Sequence, residues 1–182
     1  MLEFPNGEKV EELISEAAIK VRIKEIATQI KTDYENKPIM LLCTLKGAIF
    51  LLADLARELP PNVEIDFVKA SSYGSKTQSD GVIELEHFPG TNLPGKNIII
   101  IEDIIDSGHT LKSLCKYIKE QAPASLKVCS LLDKPERREV KNLTCDYLGF
   151  TIPDDFVVGY GLDYAQRYRN LPFIGILHQP QK

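Results

Sequence analysis

The chain has 182 residues, with 22 basic and 26 acidic side chains that give a net charge of −4. Hydrophobic residues make up 43% and charged residues 26%, which is typical of one soluble globular domain and excludes a disordered, collagen-like or coiled-coil chain. The acidic balance also argues against a general nucleic-acid binder, because such proteins need a basic surface.

The first third of the chain alternates helical and strand patterns. Ser15 is a candidate N-cap, and the apolar residues after it recur at helical spacing until Pro38 ends the helix. Residues 39–45 form a continuous apolar run, which is typical of a strand covered on both faces. Residues 48–58 follow as a second helix, which ends before Pro60.

The rest of the chain repeats this alternation. Residues 63–73 are expected to form a strand, residues 74–81 a polar loop, and residues 82–88 an alternating, antiparallel partner strand. A β-branched strand over 97–106 precedes a helix over 111–121. A buried strand over 126–132 and three short strands complete the pattern: 146–150, 156–160 and 173–178.

Apolar strands that alternate with helices predict the α/β class, with a mostly parallel sheet of right-handed crossovers. We predict a single domain over residues 1–182, with its core at about residues 36–150. The first helix and the late short strands are expected to cover one edge of the sheet, as a small hood from about residues 1–35 and 151–182.

Four cysteines without CxxC spacing and the absence of a signal-peptide pattern or a membrane-length apolar run predict a cytoplasmic protein with no membrane association. The three histidines have no metal-ligand spacing, and neither a P-loop nor a complete dinucleotide fingerprint is present.

Ligands of open α/β sheets bind beyond the carboxyl ends of the strands, so the residues that follow each apolar run are the candidate site. Lys46-Gly47, Ser72-Tyr73, Glu102-Asp103 and Asp133-Lys134 occupy these places and are expected to share one edge.

The sequence NIIIIEDIIDSGHT, residues 97–110, carries the clearest chemistry. Two adjacent carboxylates end a strand, Asp106 follows, and a turn with hydroxyls and a glycine opens a helix. Backbone amides of such a turn and the positive end of the helix dipole favour a bound phosphate. The residues alone leave an alternative open, in which Asp106 only caps the helix while Glu102 and Asp103 face solvent.

This segment resembles the ribose-phosphate signature of the type I phosphoribosyltransferases. Four further segments resemble the 6-oxopurine branch of that family, in the same order and over nearly the whole chain: LKGA (45–48), SSYGSKTQSDG (71–81), LLDKPERR (131–138) and IPDDFVVGYGLDYAQRYRNLPFIG (152–175). The resemblance implies the type I phosphoribosyltransferase fold. It also implies transfer of ribose 5-phosphate from phosphoribosyl pyrophosphate to a purine N9, which releases pyrophosphate.

The resemblance assigns the sugar-phosphate residues. Residues 106–110 (Asp106, Ser107, Gly108, His109, Thr110) match the loop around the 5-phosphate, where His109 is a departure that should matter little because a main-chain contact is implied. Glu102 and Asp103 match acids near the ribose hydroxyls and Mg²⁺. The pyrophosphate loop corresponds to Leu45, Lys46 and Gly47, with a cis peptide before the lysine. Ser72 and Tyr73 match a mobile lid.

The resemblance also assigns the purine and leaving-group residues. Asp106 is the implied general base, and Arg169 binds the leaving pyrophosphate. Lys134 donates to the purine 6-oxo group, Phe156 stacks on the ring and Val157 offers main-chain contacts. Asp163 lies beside a second metal and the base. Without the motifs, the simpler interpretation of Lys134 and Arg169 is a surface charge, and that of Asp163 a turn residue.

The implied ligands are phosphoribosyl pyrophosphate, hypoxanthine, guanine, IMP, GMP, pyrophosphate and Mg²⁺, and the implied assembly is a homodimer or homotetramer. A family member that uses xanthine is an alternative. A regulator that only senses phosphoribosyl pyrophosphate is another, although such proteins tend to add a DNA-binding domain or a basic face.

Overall fold

The computed structural model describes residues 1–5, 7–35, 37–72, 83–87 and 91–180. Within these ranges the helices are α1 (Glu16–Tyr34), α2 (Ile49–Glu58) and α3 (His109–Glu120). The strands are β1 (Leu2–Glu3), β2 (Lys9–Ile14), β3 (Ile39–Leu45), β4 (Glu64–Ser72), β5 (Ile83–His87), β6 (Asn97–Ile105), β7 (Ser125–Asp133), β8 (Tyr147–Thr151), β9 (Val157–Val158) and β10 (Ile174–His178).

The main sheet has six strands in the order β5-β4-β3-β6-β7-β8. Five of them run parallel, and β5 is antiparallel to β4, as its alternating sequence predicted. β3 and β6 lie in the middle, where Leu41 and Ile99 face each other in register and are fully buried. This position explains why both strands are continuous apolar runs. The α/β fold class is therefore confirmed.

A second, smaller sheet has the order β1-β2-β10-β9 and is antiparallel throughout. It combines the N-terminal hairpin with the two last strands, and we call it the hood. The larger core cluster contains Ile14 and Ile174 from the hood together with Leu41 and Ile101 from the main sheet. The two sheets therefore share one continuous apolar core.

Helix α1 begins as predicted, because Ser15 caps it and accepts a hydrogen bond from the Ala18 amide at 3.2 Å. Its expected place in the hood is wrong. Ile19 and Ile26 pack in the core cluster of the main sheet, and Arg22 donates to the Leu148 carbonyl of β8 at 2.6 Å. A helix of 19 residues with a long apolar stripe needs a sheet face to cover it, and the hood is too small.

The strand expected over 146–150 forms β8, which extends the main sheet as the parallel neighbour of β7. Helix α3 covers the opposite face of the sheet, where Leu111, Leu114 and Ile118 join a separate apolar cluster. The sheet is thus covered by helices on both faces.

All four cysteines are free thiols, and Cys43 and Cys129 are fully buried, as expected of small core residues. In the described part of the chain, no helix is long and apolar enough to cross a membrane. The predicted loop 74–81 lies outside the described residues.

Candidate active site

A cavity of about 320 Å³ opens at the carboxyl ends of the central strands β3 and β6. Its lining is strongly polar, because the strand ends, the turn before α3 and a loop of the hood all contribute side chains. The residues that line it are Thr44, Leu45, Lys46, Gly47, Glu102, Asp103, Ile104, Ile105, Asp106, Ser107, Gly108, Thr110, Leu111, Asp163 and Arg169.

Glu102 and Asp103 are the two carboxylates at the floor of this cavity, within β6. Glu102 is only 7% exposed, and its Oε2 lies 2.6 Å from Thr44 Oγ1. The pKa of Glu102 is raised to about 8, chiefly by burial and then by the neighbouring Asp103 charge, and the Thr44 hydrogen bond opposes both effects. The pKa of Asp103 is also raised by burial. These two carboxyl groups therefore do not simply face solvent.

The loop after β3 lies directly against Asp103. The peptide bond between Leu45 and Lys46 is cis, as the resemblance implied. A side chain at Gly47 would overlap the Asp103 carboxylate, so only glycine lets this loop approach the acid so closely. The Lys46 ammonium extends toward the hood and donates to the side chain of Gln166 at 3.3 Å.

The turn from β6 into α3 forms the second wall of the cavity. Gly108 is the N-cap of α3 and has φ of +90°, and no side chain caps the helix. The Ser107 carbonyl accepts bonds from the amides of Glu139 and Val140, each at 3.1 Å, which fix the turn from outside. Since Asp106 does not cap the helix, its carboxylate is available to the cavity. The first turn of α3 therefore borders the cavity with its positive dipole end.

A second cavity of about 410 Å³ adjoins the first. The two share Asp103, Ile104, Asp106 and Asp163, so these residues separate and border both spaces. The other lining residues of the second cavity are Lys134, Arg137, Asp154, Phe156, Val157 and Leu162.

Lys134 is the buried cation of the second cavity. Its side chain follows the end of β7 and is buried at 8% residue exposure, which excludes a solvated surface charge. Its ammonium donates to the Asp155 carbonyl at 2.6 Å and lies 3.6 Å from Asp154 Oδ1. Phe156, by contrast, is 54% exposed and presents its ring at the rim. A buried donor and an exposed aromatic face together suit a flat heterocycle.

Arg137 links the two cavities electrostatically. Its Nε lies 2.8 Å from Asp106 Oδ1, and its Nη1 lies 3.5 Å from Asp154. The guanidinium therefore neutralises part of the acidic charge on both sides of the shared wall. Asp106 in turn stands at the boundary between the two cavities, and the Arg137 side chain that contacts it is about half exposed.

Asp163 and Arg169 close the first cavity from the hood side. Arg169 Nη2 lies 2.5 Å from Asp163 Oδ1, and Arg169 Nη1 donates to the Gly161 carbonyl at 2.6 Å. The amide of Gln166 donates to the other Asp163 oxygen at 2.8 Å. Asp163 is therefore held in a turn and also faces the cavity, so the two interpretations of this residue are compatible.

The structure brings most of the candidate residues together around these two adjoining cavities. One exception is the His109 side chain, which is exposed and lies 2.8 Å from Glu139 instead of lining either space. Ser72 ends β4, and nothing is described of its side chain, while Tyr73 lies outside the described residues.

Sequence reasoning did not single out Thr44 or Arg137. Arg137 lies in the LLDKPERR segment that carries the resemblance, so its position in a loop beside Lys134 was the available signal. Thr44 has a weaker signal, since it is the one polar residue at the end of an apolar strand. Within the described residues, no group of three or more histidine, cysteine or acidic side chains could hold a metal ion by itself.

The chain is similar in sequence to known proteins. The family model described as "Phosphoribosyl transferase domain" matches residues 9–165. The hypoxanthine phosphoribosyltransferase of Escherichia coli strain K12 is 46% identical over 168 residues, which are 91% of this chain and 94% of that protein.

Solved structures give the same result. A crystal structure of a hypoxanthine-guanine phosphoribosyltransferase from Bacillus anthracis, with a HEPES molecule in its active site, is 48% identical with a TM-score of 0.87, and the match covers 92% of this chain and 99% of that one. A Trypanosoma cruzi hypoxanthine phosphoribosyl transferase, studied for the role of its C-terminal region in oligomeric state and enzymatic activity, is 37% identical with a TM-score of 0.87, over 98% of this chain and 95% of that one.

Proposed function

The chain belongs to the phosphoribosyltransferase family and is a transferase of purine salvage, and on that premise we propose its reaction and the residues that perform it. It transfers the 5-phosphoribosyl group from phosphoribosyl pyrophosphate to N9 of hypoxanthine, and also of guanine. The products are IMP or GMP, with pyrophosphate. The observation that carries the proposal is the pair of adjoining cavities, one acidic and lined by a helix N-terminus, the other with a buried lysine.

The first cavity is the proposed site of the sugar phosphate. The backbone amides of residues 106–110, with the Ser107 and Thr110 hydroxyls, bind the 5-phosphate at the positive end of α3. The carboxylates of Glu102 and Asp103 accept from the ribose hydroxyls. Leu45, Lys46 and Gly47 contact the pyrophosphate from the opposite side, and the Arg169 guanidinium binds the leaving group there.

Mg²⁺ is the proposed cofactor. One ion would be held by the carboxylate oxygens of Glu102 and Asp103, and a second would lie beside Asp163; Mg²⁺ commonly completes such sites with waters and substrate phosphates. The donor set fits, because Glu102 and Asp103 are neighbouring carboxyls whose pKa values are raised by burial, and a bound cation would favour their charged forms. The ion would supply positive charge that neutralises the pyrophosphate.

The second cavity is the proposed purine site. Lys134 would donate to the 6-oxo group of hypoxanthine or guanine, Phe156 would stack on the ring, and the main chain at Val157 would contact the ring edge. Adenine carries a 6-amino group, which offers no acceptor to the ammonium. A charged donor left without an acceptor in a buried site costs on the order of 1–3 kcal/mol or more, so adenine should be rejected.

Asp106 is the proposed general base. It borders both cavities, so its carboxylate can reach the purine ring while the neighbouring amides hold the phosphate. It would accept the proton from purine N7 as N9 bonds to the sugar. The surrounding carboxylates stabilise positive charge on the ribose as pyrophosphate departs, and positioning of the two substrates supplies much of the remaining acceleration.

The proposal also includes a lid over the substrates, the oligomeric state and the cellular compartment. Ser72 and Tyr73 would close over the bound substrates as a lid that excludes water. We propose that the chain acts in the cytoplasm as a homodimer or homotetramer. The four free cysteines, two of them buried, support a reducing compartment.

Two alternatives remain distinguishable by experiment. Xanthine shares the 6-oxo group and differs at position 2, so Lys134 does not select against it. A regulator that only senses phosphoribosyl pyrophosphate would need the first cavity and not the second, and the buried lysine of the second cavity favours the enzyme.

A panel of bases tests the proposal directly. The purified chain is mixed with Mg²⁺, phosphoribosyl pyrophosphate and, one at a time, hypoxanthine, guanine, xanthine or adenine, and nucleotide and pyrophosphate are quantified. We expect IMP and GMP and no AMP. Use of adenine would contradict the role of Lys134, and binding of phosphoribosyl pyrophosphate without turnover of any base would favour the regulator. The rate with xanthine decides the breadth of base use.

A further inference from the structure

Glu8 is a buried carboxylate outside both cavities. Three charged residues of the described chain are less than about a tenth exposed: Glu8 at 7%, Glu102 at 7% and Lys134 at 8%. Glu102 and Lys134 line the cavities, whereas Glu8 lies in the N-terminal hairpin, immediately before β2. Burial of a charge is unfavourable unless the charge is paired and hydrogen-bonded, so the partners of Glu8 indicate why it is retained.

Both side-chain oxygens of Glu8 contact the loop of the hood that precedes Arg169. Oε1 accepts from Arg167 Nη2 at 3.1 Å, and Oε2 accepts from the Tyr168 hydroxyl. The Phe4 ring, from the same hairpin as Glu8, packs edge-on against the Tyr168 ring with centroids 4.9 Å apart. The N-terminal hairpin therefore contacts the side chains of the two residues that come directly before Arg169.

This loop has an unfavourable backbone conformation. Ala165, Gln166 and Tyr168 have φ values of +50°, +65° and +73°, in the left-handed region that residues with side chains rarely adopt. Such conformations persist where the surrounding structure holds them in place. The turn between Tyr164 and Arg167 is closed by two backbone hydrogen bonds, at 3.2 and 3.0 Å. Tyr168 lies beyond that turn, and Glu8 holds its side chain.

The loop determines where Arg169 lies. Arg169 follows Tyr168 directly, and its guanidinium reaches back to the Gly161 carbonyl and to Asp163, at the other end of the same loop. A rotation of the backbone at Tyr168 would move the Cα of Arg169 and thereby its guanidinium in the cavity. The position of Tyr168 is thus coupled to that of the proposed pyrophosphate ligand.

We propose that Glu8 is a positioning residue for Arg169. It acts through Tyr168 and sets the affinity of the site for phosphoribosyl pyrophosphate, without contact to either substrate. This inference rests on the proposed role of Arg169 as the guanidinium that binds pyrophosphate. The N-terminal hairpin is thereby part of the substrate site as well as part of the fold.

The first test replaces Glu8 by Gln, which keeps the shape and removes the charge. We expect the KM for phosphoribosyl pyrophosphate to rise roughly tenfold, because small misplacements of a binding group have large effects. The KM for hypoxanthine and kcat should stay near the wild-type values. Glu3→Gln is the matched control, because Glu3 lies in the same hairpin, is exposed and pairs with Lys9.

A purely structural role of Glu8 gives a different result. The melting temperature would then fall while the KM for phosphoribosyl pyrophosphate stays unchanged, and that outcome would overturn the inference, as would an equal rise in both KM values. Tyr168→Phe provides a second variant in case Glu8→Gln folds poorly. It should raise the same KM, and the double variant should be no worse than the more affected single variant.

A third experiment tests the positioning role of Glu8 separately from the proposed role of Arg169. Binding of phosphoribosyl pyrophosphate with Mg²⁺ is measured by calorimetry for Arg169→Gln and for Arg169→Gln combined with Glu8→Gln. If Glu8 acts through Arg169, the second change has no further effect on affinity. A further loss in the double variant overturns the positioning role alone. Wild-type affinity of Arg169→Gln contradicts the role of Arg169 itself.

Discussion

The α-carbon of Gly161 lies against the main-chain carbonyl of Gly47, and a side-chain carbon at Gly161 would overlap that oxygen. The two glycines come from different parts of the fold, since Gly47 follows the central strand β3 and Gly161 belongs to the segment between β9 and β10. The Gly161 carbonyl also accepts a hydrogen bond from Arg169 at 2.6 Å. One close backbone contact thus fixes the distance between the two proposed pyrophosphate-binding groups.

Gly161→Ala should move the loop of residues 45–47 away from Arg169. The new methyl must displace the loop of residues 45–47 or the hood, and φ of +104° adds strain. We expect the KM for phosphoribosyl pyrophosphate to rise by roughly tenfold or more, because both pyrophosphate contacts move. Steady-state kinetics with both substrates and a thermal melt measure the effect.

Gly95→Ala is the matched control for that change. Gly95 also has a positive φ, of +72°, but a side-chain carbon there meets nothing within 4 Å. Gly95→Ala should therefore show the effect of backbone strain alone. We expect its free energy of unfolding to fall by about 1 kcal/mol, with unchanged kinetics. If both variants lose substrate affinity equally, the contact with Gly47 is not the cause.

Asp106→Asn tests the general base. The amide keeps the size of the side chain but cannot accept the purine proton, so kcat should fall by roughly 10²- to 10⁴-fold while both KM values change little. Glu64→Gln is the control, because Glu64 is a carboxylate in an exposed ion pair with Lys96 and lines neither cavity. Turnover of Asp106→Asn at the wild-type rate would remove Asp106 from this role.

The sequence predicts the middle of this fold better than its periphery. The strands β3 and β6 are apolar throughout because they are covered on both faces, and a pattern of that kind is visible without tertiary information. The place of α1 could not be inferred from the sequence. An amphipathic pattern shows that one face of a helix is buried, but it does not show which sheet covers that face. Strand β2 was missed for a related reason, since its pattern of two buried among six residues is weak.

Some residues of the candidate site could be predicted from the sequence and others could not. Residues 102–110 are adjacent in sequence, so one motif predicts their shared position. Arg137 and Glu8 act through contacts between segments distant in the chain, with Asp106 and Tyr168, and no local pattern encodes those contacts. The burial of Lys134 likewise depends on the segment that carries Asp155, 21 residues later.

Removal of divalent cations should abolish turnover and leave the fold intact. EDTA is expected to stop nucleotide formation, and excess Mg²⁺ should restore it, because the proposed metal site is completed by substrate phosphates. The melting temperature of the free protein should not change, because the described residues include no cluster of three or more candidate ligands that would make the metal structural. Full activity in EDTA would contradict the proposed cofactor, and a large drop in melting temperature would instead indicate a structural metal.

Lys134→Met tests how the site recognises the purine. Methionine fills much of the same buried space and removes the charge, so the cavity should keep its shape while the 6-oxo group loses its donor. A hydrogen bond to a charged group is worth roughly 1.5–3 kcal/mol, which corresponds to a loss in hypoxanthine affinity of about 10- to 150-fold. Binding of phosphoribosyl pyrophosphate should remain at the wild-type level, because Lys134 lines only the second cavity.

Calorimetry with phosphoribosyl pyrophosphate, and kinetics with hypoxanthine and adenine, separate recognition from folding. Lys141→Met is the control, since it removes an exposed lysine and should change neither affinity. The discrimination between hypoxanthine and adenine should narrow in Lys134→Met, because the ammonium that opposes the 6-amino group is gone. Equal losses for both substrates would mean that the variant is misfolded at the site. Unchanged discrimination with weaker binding of both bases would mean that Lys134 shapes the cavity through Asp155 and does not recognise the 6-oxo group.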